Sequence, residues 1–90
     1  MRASENPPLV RAFAAEMKGR RTTLGLSQEA LALNCGVNRT FVTKLELAQS
    51  QPTLSVMAKI AEGLDVSLPV LLEATMVRYR VELRMQRKSR

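Results

Sequence analysis

With 90 residues, 46% of them hydrophobic, and only one Tyr, two Phe and no Trp, the chain has room for one small domain with an aliphatic core. The lone Cys35 excludes an internal disulfide framework. No apolar run approaches the ~20 residues of a membrane span, and the N-terminus lacks the apolar stretch of a signal peptide. We therefore expect a cytoplasmic protein. The net charge of +6 suggests an anionic partner, but residues 76–90 alone hold six basic residues against one acidic residue, so the body of the domain is nearly neutral.

The first predicted element is a helix that follows a short arm. Residues 1–7 are predicted to be a flexible arm ending in prolines. From about Pro8, apolar residues recur with the helical period, and Lys18, Arg20 and Arg21 lie in the last turns. Strand patterns are absent, since apolar and polar residues never alternate over more than a few positions. The chain therefore begins as an amphipathic helix.

Two short helices joined by a tight corner follow. Ser27 is a suitable N-cap for the first of them, and Gly36 ends it where a left-handed backbone is needed. Asn38 then caps a third helix, in which Val42 and Leu45 are inward positions. Helices this short are unstable alone and must pack against each other. The pattern predicts a helix-turn-helix.

Two further helices complete the chain. Thr53 is predicted to cap the fourth helix, which directs five apolar residues inward: Leu54, Met57, Ile60, Ala61 and Leu64. Ser67 is predicted to cap the fifth, and nothing interrupts the helical pattern beyond Glu73 until the final basic residues. We therefore predict an all-α fold, with a five-helix domain over residues 8–73 and a basic helical tail over residues 74–90.

Residues at fixed spacing resemble the Cro/phage-repressor (XRE-type) helix-turn-helix family. The matching segments lie within roughly residues 10–73 and are LSQEALA, GV, KLE, PTLSVMAKIAEGL and VSL…LL. The opening of the third helix, NRT followed by Phe41, is similar to the restriction–modification controller proteins. Two features depart from the family: LAQSQ after the third helix has no cation, and Leu33 stands where a polar residue is usual. The resemblance implies a lambda-repressor-like bundle and a sequence-specific DNA-binding transcription regulator.

In such folds the third helix enters the major groove, which here means residues 38–47. The resemblance implies base contacts by its outward residues, which are Arg39, Thr40, Thr43 and Lys44. Arg39 is the strongest candidate, because its guanidinium matches the two acceptors of guanine. Phe41 either adds an apolar contact at the groove or packs in the core. Phosphate contacts are predicted for six residues: Gln28, Asn38, Arg21, Ser50, Gln51 and Thr53.

One domain of this size reads only about four base pairs, so we expect a homodimer on a two-fold symmetric double-stranded operator. The predicted interface lies on the fifth helix and the tail: Leu68, Val70, Leu71, Met76, Tyr79 and Leu83. Two alternatives remain for the tail. It folds back onto its own domain, or it lies on a membrane surface through four apolar residues: Met76, Val77, Val81 and Leu83.

The sequence offers no pattern of an enzyme. It has no histidine for a general base or a metal site, and Cys35 lies at an inward position of the corner, where it is better interpreted as a small core residue than as a nucleophile. Gly-rich phosphate loops and metal-ligand spacings are absent. We expect no catalysis, no cofactor, no metal and no small-molecule ligand. The alternative function is a protein-binding adaptor, such as an antitoxin or antirepressor, against which Arg39 and Lys44 on the outward face argue.

Overall fold

The computed structural model describes residues 5–88, and within this range it has five α-helices and no strand. They are α1 (Pro7–Thr23), α2 (Gln28–Cys35), α3 (Arg39–Glu46), α4 (Leu54–Gly63) and α5 (Leu68–Lys88). The predicted all-α bundle is confirmed. Of the predicted arm, residues 1–4 lie outside the described residues, and α1 already includes Pro7, with Asn6 as its N-cap.

The helix boundaries follow from local side-chain chemistry. The side-chain oxygens of Ser27 and Asn38 accept hydrogen bonds from backbone N–H groups three residues further on, at 3.0 and 2.8 Å. Thr53 and Ser67 do the same at the starts of α4 and α5. Each cap satisfies an N–H that the helix leaves unpaired. Gly36, with φ of 72°, makes the predicted left-handed corner between α2 and α3.

A single aliphatic core joins the five helices. Its fully buried side chains are Met17, Leu31, Val42, Leu45, Ile60 and Leu71. Complete burial of a side chain of this size contributes about 1.5–3 kcal/mol. The inward prediction for Leu54 was wrong, because Leu54 is the first residue of α4 and is exposed. Val56 and Met57 of α4 are half-buried against the core, and full burial begins at Ile60.

Gly63 allows α4 to pack directly on α2. A Cβ atom at this position would overlap the Sγ of Cys35 and would lie 3.2 Å from Leu31 Cδ1. A larger residue would therefore push the two helices apart. Cys35 is buried at this contact, and its burial raises the pKa of the thiol. It is a packing residue, as the sequence indicated.

The C-terminal helix folds back along α1. It runs without a break through residue 73, where we predicted the end of the domain. Arg78 Nε donates to Glu16 Oε1 at 2.7 Å, and Asn6 Nδ2 donates to the Tyr79 hydroxyl at 3.0 Å. The fold-back alternative is thus the arrangement in this structure. The division into arm, domain and tail stays a prediction.

The four tail residues considered for membrane contact do not share one face. Met76 and Leu83 lie on one side of α5, and Val77 and Val81 lie on another, since the helix turns by about 100° per residue. Leu83 is also half-buried. Among residues 5–88, no helix is both long and apolar enough to cross a bilayer.

Candidate nucleic-acid interface

The outward face of α3 carries most of the predicted base-contacting residues. Arg39, Thr40 and Lys44 are exposed. Val42 and Leu45 are fully buried on the opposite side of the helix, and they fix which face points outward. The structure therefore presents two cations and one hydroxyl together on a short, firmly packed helix.

Thr43, the fourth base candidate, is half-buried beside the start of α2. Its hydroxyl lies 2.9 Å from Gln28 Oε1 and 3.1 Å from the carbonyl oxygen of Arg39. A hydroxyl has one hydrogen, so it donates to one of these acceptors at a time. Thr43 is thus less available to a base edge than its neighbours on α3, and it helps to orient Gln28.

Gln28, a phosphate candidate, is held in place by α3. Its Nε2 donates to Glu46 Oε1 at 3.0 Å, while its Oε1 accepts from Thr43. An amide nitrogen carries two hydrogens, so these bonds leave one donor over. The side chain is therefore fixed in orientation and still has a hydrogen for an external acceptor.

Arg21, another phosphate candidate, forms a buried ion pair with Glu46. Arg21 Nε and Nη2 lie 2.6 and 3.0 Å from the two carboxylate oxygens, and Nη1 donates to the carbonyl of Leu26 at 2.8 Å. The side chains of Arg21 and Glu46 are only 11% and 2% exposed. Hydrogen bonding to Glu46 raises the pKa of Arg21, although burial opposes the shift. Because each guanidinium nitrogen already has an internal acceptor, Arg21 joins α1 to α3, and we withdraw it as a phosphate contact.

Sequence reasoning missed Glu46, which organises this corner. Its carboxylate accepts from Arg21 on α1 and from Gln28 on α2. A signal was present: Glu46 follows the inward Val42 by four residues, so both lie on the same face of α3. An acidic residue on a buried face requires a buried cation. Such a residue could have been paired with a cation in the last turns of α1.

The remaining phosphate candidates border α3. Asn38 is exposed at the N-terminus of α3, and its Oδ1 caps that helix. Ser50 is half-buried in the loop after α3, and Gln51 and Thr53 are exposed there. Thr53 also caps α4. Ser50 and Gln51 line a depression with Pro7 and Val10 at the start of α1, so among these four residues Asn38 alone lies at an end of α3 itself.

Two apolar residues lie at the corner itself. Phe41 is half-buried and packs against the core cluster, which favours the core role among the two we considered. Leu33 points outward from α2 and is 78% exposed. Both line an open depression beside Gly36. Leu33 thus occupies a solvent position, as the family pattern implied, although it is not polar.

The predicted dimer residues do not form one surface. Leu71 is fully buried in the core of its own domain, so its prediction as an interface residue was wrong. The other five differ in surroundings: Leu68 packs against the core, Tyr79 accepts a hydrogen bond from Asn6, Leu83 is half-buried, and Val70 and Met76 are exposed. The error arises because α5 is apolar on more than one side.

Comparisons with known proteins agree with this geometry. Residues 17–71 match the model of the Helix-turn-helix family HTH_3. Control protein C.SmaI of Serratia marcescens is 36% identical over 60 residues, which cover 67% of this chain and 71% of that protein. The SPbeta prophage-derived HTH-type transcriptional regulator YonR of Bacillus subtilis (strain 168) is 33% identical over 63 residues. That match covers 70% of this chain and spans 58% of the Bacillus protein.

One solved structure extends the comparison to a DNA complex. The restriction-modification controller protein C.Esp1396I, as a tetramer in complex with its natural 35 base-pair operator, superposes with a TM-score of 0.75 and 27% identity. The match covers 79% of this chain and 93% of that protein. The family match over residues 17–71 includes the whole α2–α3 corner.

Proposed function

The chain belongs to the Helix-turn-helix family HTH_3, and on that basis we propose that it is a sequence-specific, double-stranded DNA-binding transcription regulator. The observation that supports this most strongly is the face of α3, where Arg39, Thr40 and Lys44 are exposed together. The cylinder of α3 fits the major groove of B-DNA. We propose that α3 enters the groove with Arg39 foremost.

The proposed base contacts divide by chemistry. The planar guanidinium of Arg39 suits the O6 and N7 acceptors of a guanine. Thr40 offers a hydroxyl to a base edge or a methyl group to thymine. Lys44 lies one helical turn after Thr40 and donates to a base acceptor further along the operator. Thr43 is the weakest of the four, since its hydroxyl is used inside the domain.

The proposed phosphate contacts hold the domain in register on the duplex. Gln28 keeps one amide hydrogen for a phosphate oxygen and is fixed by Glu46. We propose phosphate contacts also for Asn38, at the N-terminus of α3, and for Ser50, Gln51 and Thr53, in the loop that follows this helix. Contacts of this kind position a protein without reading sequence. We therefore assign affinity to this group and base preference to Arg39 and Thr40.

We propose that the protein acts as a homodimer on a two-fold symmetric operator in the cytoplasm. One copy of α3 reads too few base pairs for a unique genomic site, and a second copy doubles them. Oligomeric operator binding by C.Esp1396I supports this proposal. Because the relatives are regulators and control proteins, we assign no catalytic activity to the chain.

Selection from a random DNA library with purified protein tests this function. We expect enrichment of a motif with two-fold symmetry, and a binding constant that falls steeply with salt as phosphate counterions are released. Enrichment of no motif, together with equal affinity for all duplexes, would contradict sequence-specific regulation. Capture of a protein partner without any DNA affinity would favour the adaptor alternative.

Replacing Arg39 by Ala tests the assignment of base contact. We expect a loss of about 1–3 kcal/mol on the selected site and relaxed preference at one base position. Lys59→Ala removes the same charge from an exposed position on α4 and is the matched control. A loss for Arg39→Ala that is equal on every sequence would assign Arg39 to phosphate instead.

A further inference from the structure

Helix α5 has two apolar sides, and within residues 5–88 the other helices cover only one of them. On the covered side, Leu71 and Thr75 of α5 are buried. Further along the same side, Glu82 Oε1 accepts a hydrogen bond from Arg11 Nε of α1 at 2.8 Å. The outer side carries four residues, which we call the outer α5 stripe: Val70, Ala74, Val77 and Val81. The three valines are 45%, 58% and 44% exposed. An amphipathic surface helix normally has a polar outer face, so this stripe requires an explanation.

The spacing of the stripe is that of a helix-pairing seam. Its members are separated by four, three and four residues, which is the apolar repeat that brings two helices together along their length. Val70 and Val81 are eleven residues apart, or about 16 Å along the helix axis. Arg84 takes the next seam position and ends the apolar run.

One edge of the stripe carries two opposite charges that form no ion pair within the described part of the chain. Glu73 and Arg80 are exposed and lie seven residues apart on the same edge, about two helical turns. Neither belongs to any ion pair that the structure forms between residues 5–88, where the pairs are Arg11–Glu82, Glu16 with Arg20 and Arg78, and Arg21–Glu46. The edge therefore has one charge of each sign available to a partner.

We propose that the outer α5 stripe binds the same stripe of a second copy, with the two α5 helices antiparallel. Val70 then lies opposite the partner's Val81, and Ala74 lies opposite the partner's Val77. The same register places Glu73 beside the partner's Arg80, and by symmetry Arg80 beside the partner's Glu73. The small Ala74 lies next to the two-fold axis, where the helices approach most closely. A single register therefore pairs the apolar residues of the two stripes and also pairs the opposite charges along their edge.

Parallel pairing does not satisfy these charges. Around a two-fold axis parallel to the helices, Arg84 at the end of the seam would face the Arg84 of the other copy, and like charges there repel. The edge with Glu73 and Arg80 would also lie on opposite sides of the seam in the two copies, so the two charges could not pair. A two-fold axis perpendicular to the helices avoids this, because it brings the Glu73 end of one helix to the Arg80 end of the other. Charge complementarity therefore selects a second copy, oriented antiparallel, as the occupant.

This surface deepens the proposed function and rests on it for its role in DNA binding. Most of the stripe lies beyond residues 17–71, the segment that matches the family model. α1 packs against both α3 and α5, and the stripe faces away from α1. Pairing through it leaves the outward face of α3 free for DNA. The seam is short, so the dimer belongs to the small end of stable interfaces and depends on concentration.

Sedimentation equilibrium of the full chain tests the surface. We expect a concentration-dependent dimer for the wild type and a monomer for Val77→Asp at every concentration at which the wild type is dimeric. Leu33→Asp is the matched control, because it puts the same charge on another exposed apolar residue and should leave dimerisation unchanged. A Val77→Asp protein that still dimerises like the wild type would overturn the proposal, as would a wild type that stays monomeric. Partition of such a monomer onto anionic vesicles would identify a membrane surface as the occupant instead.

Two experiments, a charge exchange and a disulfide crosslink, test the antiparallel register. Glu73→Arg and Arg80→Glu should each weaken the dimer, and the chain that carries both changes should regain it, since the two charges are exchanged across the same contacts. In a Cys35→Ala background, a mixture of Val70→Cys and Val81→Cys chains should form a disulfide between unlike copies. Crosslinking of each variant with itself, or a double variant weaker than both single ones, would exclude this register.

DNA binding separates failure of this proposal from failure of the proposed function. Val77→Asp should bind a half-site as the wild type does and lose the cooperative gain on the full operator. A protein that selects a symmetric motif but is insensitive to Val77→Asp overturns the stripe alone. A protein that selects no motif overturns the regulator function, whatever its oligomeric state.

Discussion

Replacing Glu46 by Gln should destabilise the domain strongly. The carboxylate accepts two hydrogen bonds from Arg21, at 2.6 and 3.0 Å, and one from Gln28 at 3.0 Å. A glutamine of the same shape keeps one acceptor and turns the other oxygen into a donor that faces these donors. The Arg21 charge, only 11% exposed, is then left without its counter-charge.

The size of the loss follows from burial. Removing one partner of a buried ion pair costs about 3–5 kcal/mol, and we take about 3 kcal/mol because Arg21 keeps its bond to the Leu26 carbonyl. A small domain is stable by about 5–15 kcal/mol in total. At about 4–8 °C per kcal/mol for a domain of this size, the melting temperature should fall by about 12–24 °C.

Urea denaturation followed by far-ultraviolet circular dichroism measures this loss. Glu82→Gln is the matched control, since the Arg11–Glu82 pair is 47% and 30% exposed and should contribute at most about 1 kcal/mol. The double change Arg21→Met with Glu46→Leu should recover most of the lost stability, because no buried charge remains unpaired. Equal losses for Glu46→Gln and Glu82→Gln would refute the argument from burial.

Three further predictions concern single positions. Gly63→Ala should destabilise the domain by about 1–3 kcal/mol, because the added Cβ overlaps Cys35, and Cys35→Ala in the same chain should restore the stability. Gly19→Ala is the control, because its Cβ would meet only the end of the Arg78 side chain. This change should be neutral or should stabilise the domain by up to about 1 kcal/mol. Burial opposes ionisation of Glu16, but hydrogen bonds from Arg78 and Arg20 and their charges outweigh it and lower its pKa. The stability that Glu16 contributes is therefore fully present above its ordinary pKa of 4.5 and is lost as the pH falls through the lowered value, so the difference between wild type and Glu16→Gln in denaturation should shrink on acidification and not on alkalinisation. Asn38→Asp retains the cap acceptor and should change stability by less than about 0.5 kcal/mol, yet it should weaken DNA binding by adding a negative charge beside the duplex; unchanged affinity would remove Asn38 from the phosphate contacts.

The sequence contained enough to predict the outward face of the candidate site. Arg39 and Lys44 are exposed because Val42 and Leu45, spaced by the helical period, are buried on the opposite side of α3. The internal side of the site was harder to predict. Arg21 looked like a free cation, and its partner Glu46 lies 25 residues away along the chain, a separation that no local pattern reports.

The sequence by itself determined where the helices begin and turn. Ser27, Asn38, Thr53 and Ser67 each cap a helix through a backbone group three residues away, and the left-handed corner at Gly36 needs only that residue. Such features depend on near neighbours, so they can be inferred without a fold.

Only the tertiary structure decided which apolar faces are buried. Both sides of α5 are apolar, and the choice that buries Leu71 and exposes Val70 depends on where α1 and α4 lie. Leu54 is exposed for a related reason, since α4 meets its neighbours only further along. Periodicity fixes a face relative to the axis of its own helix, whereas burial depends on contacts between helices that are distant in sequence.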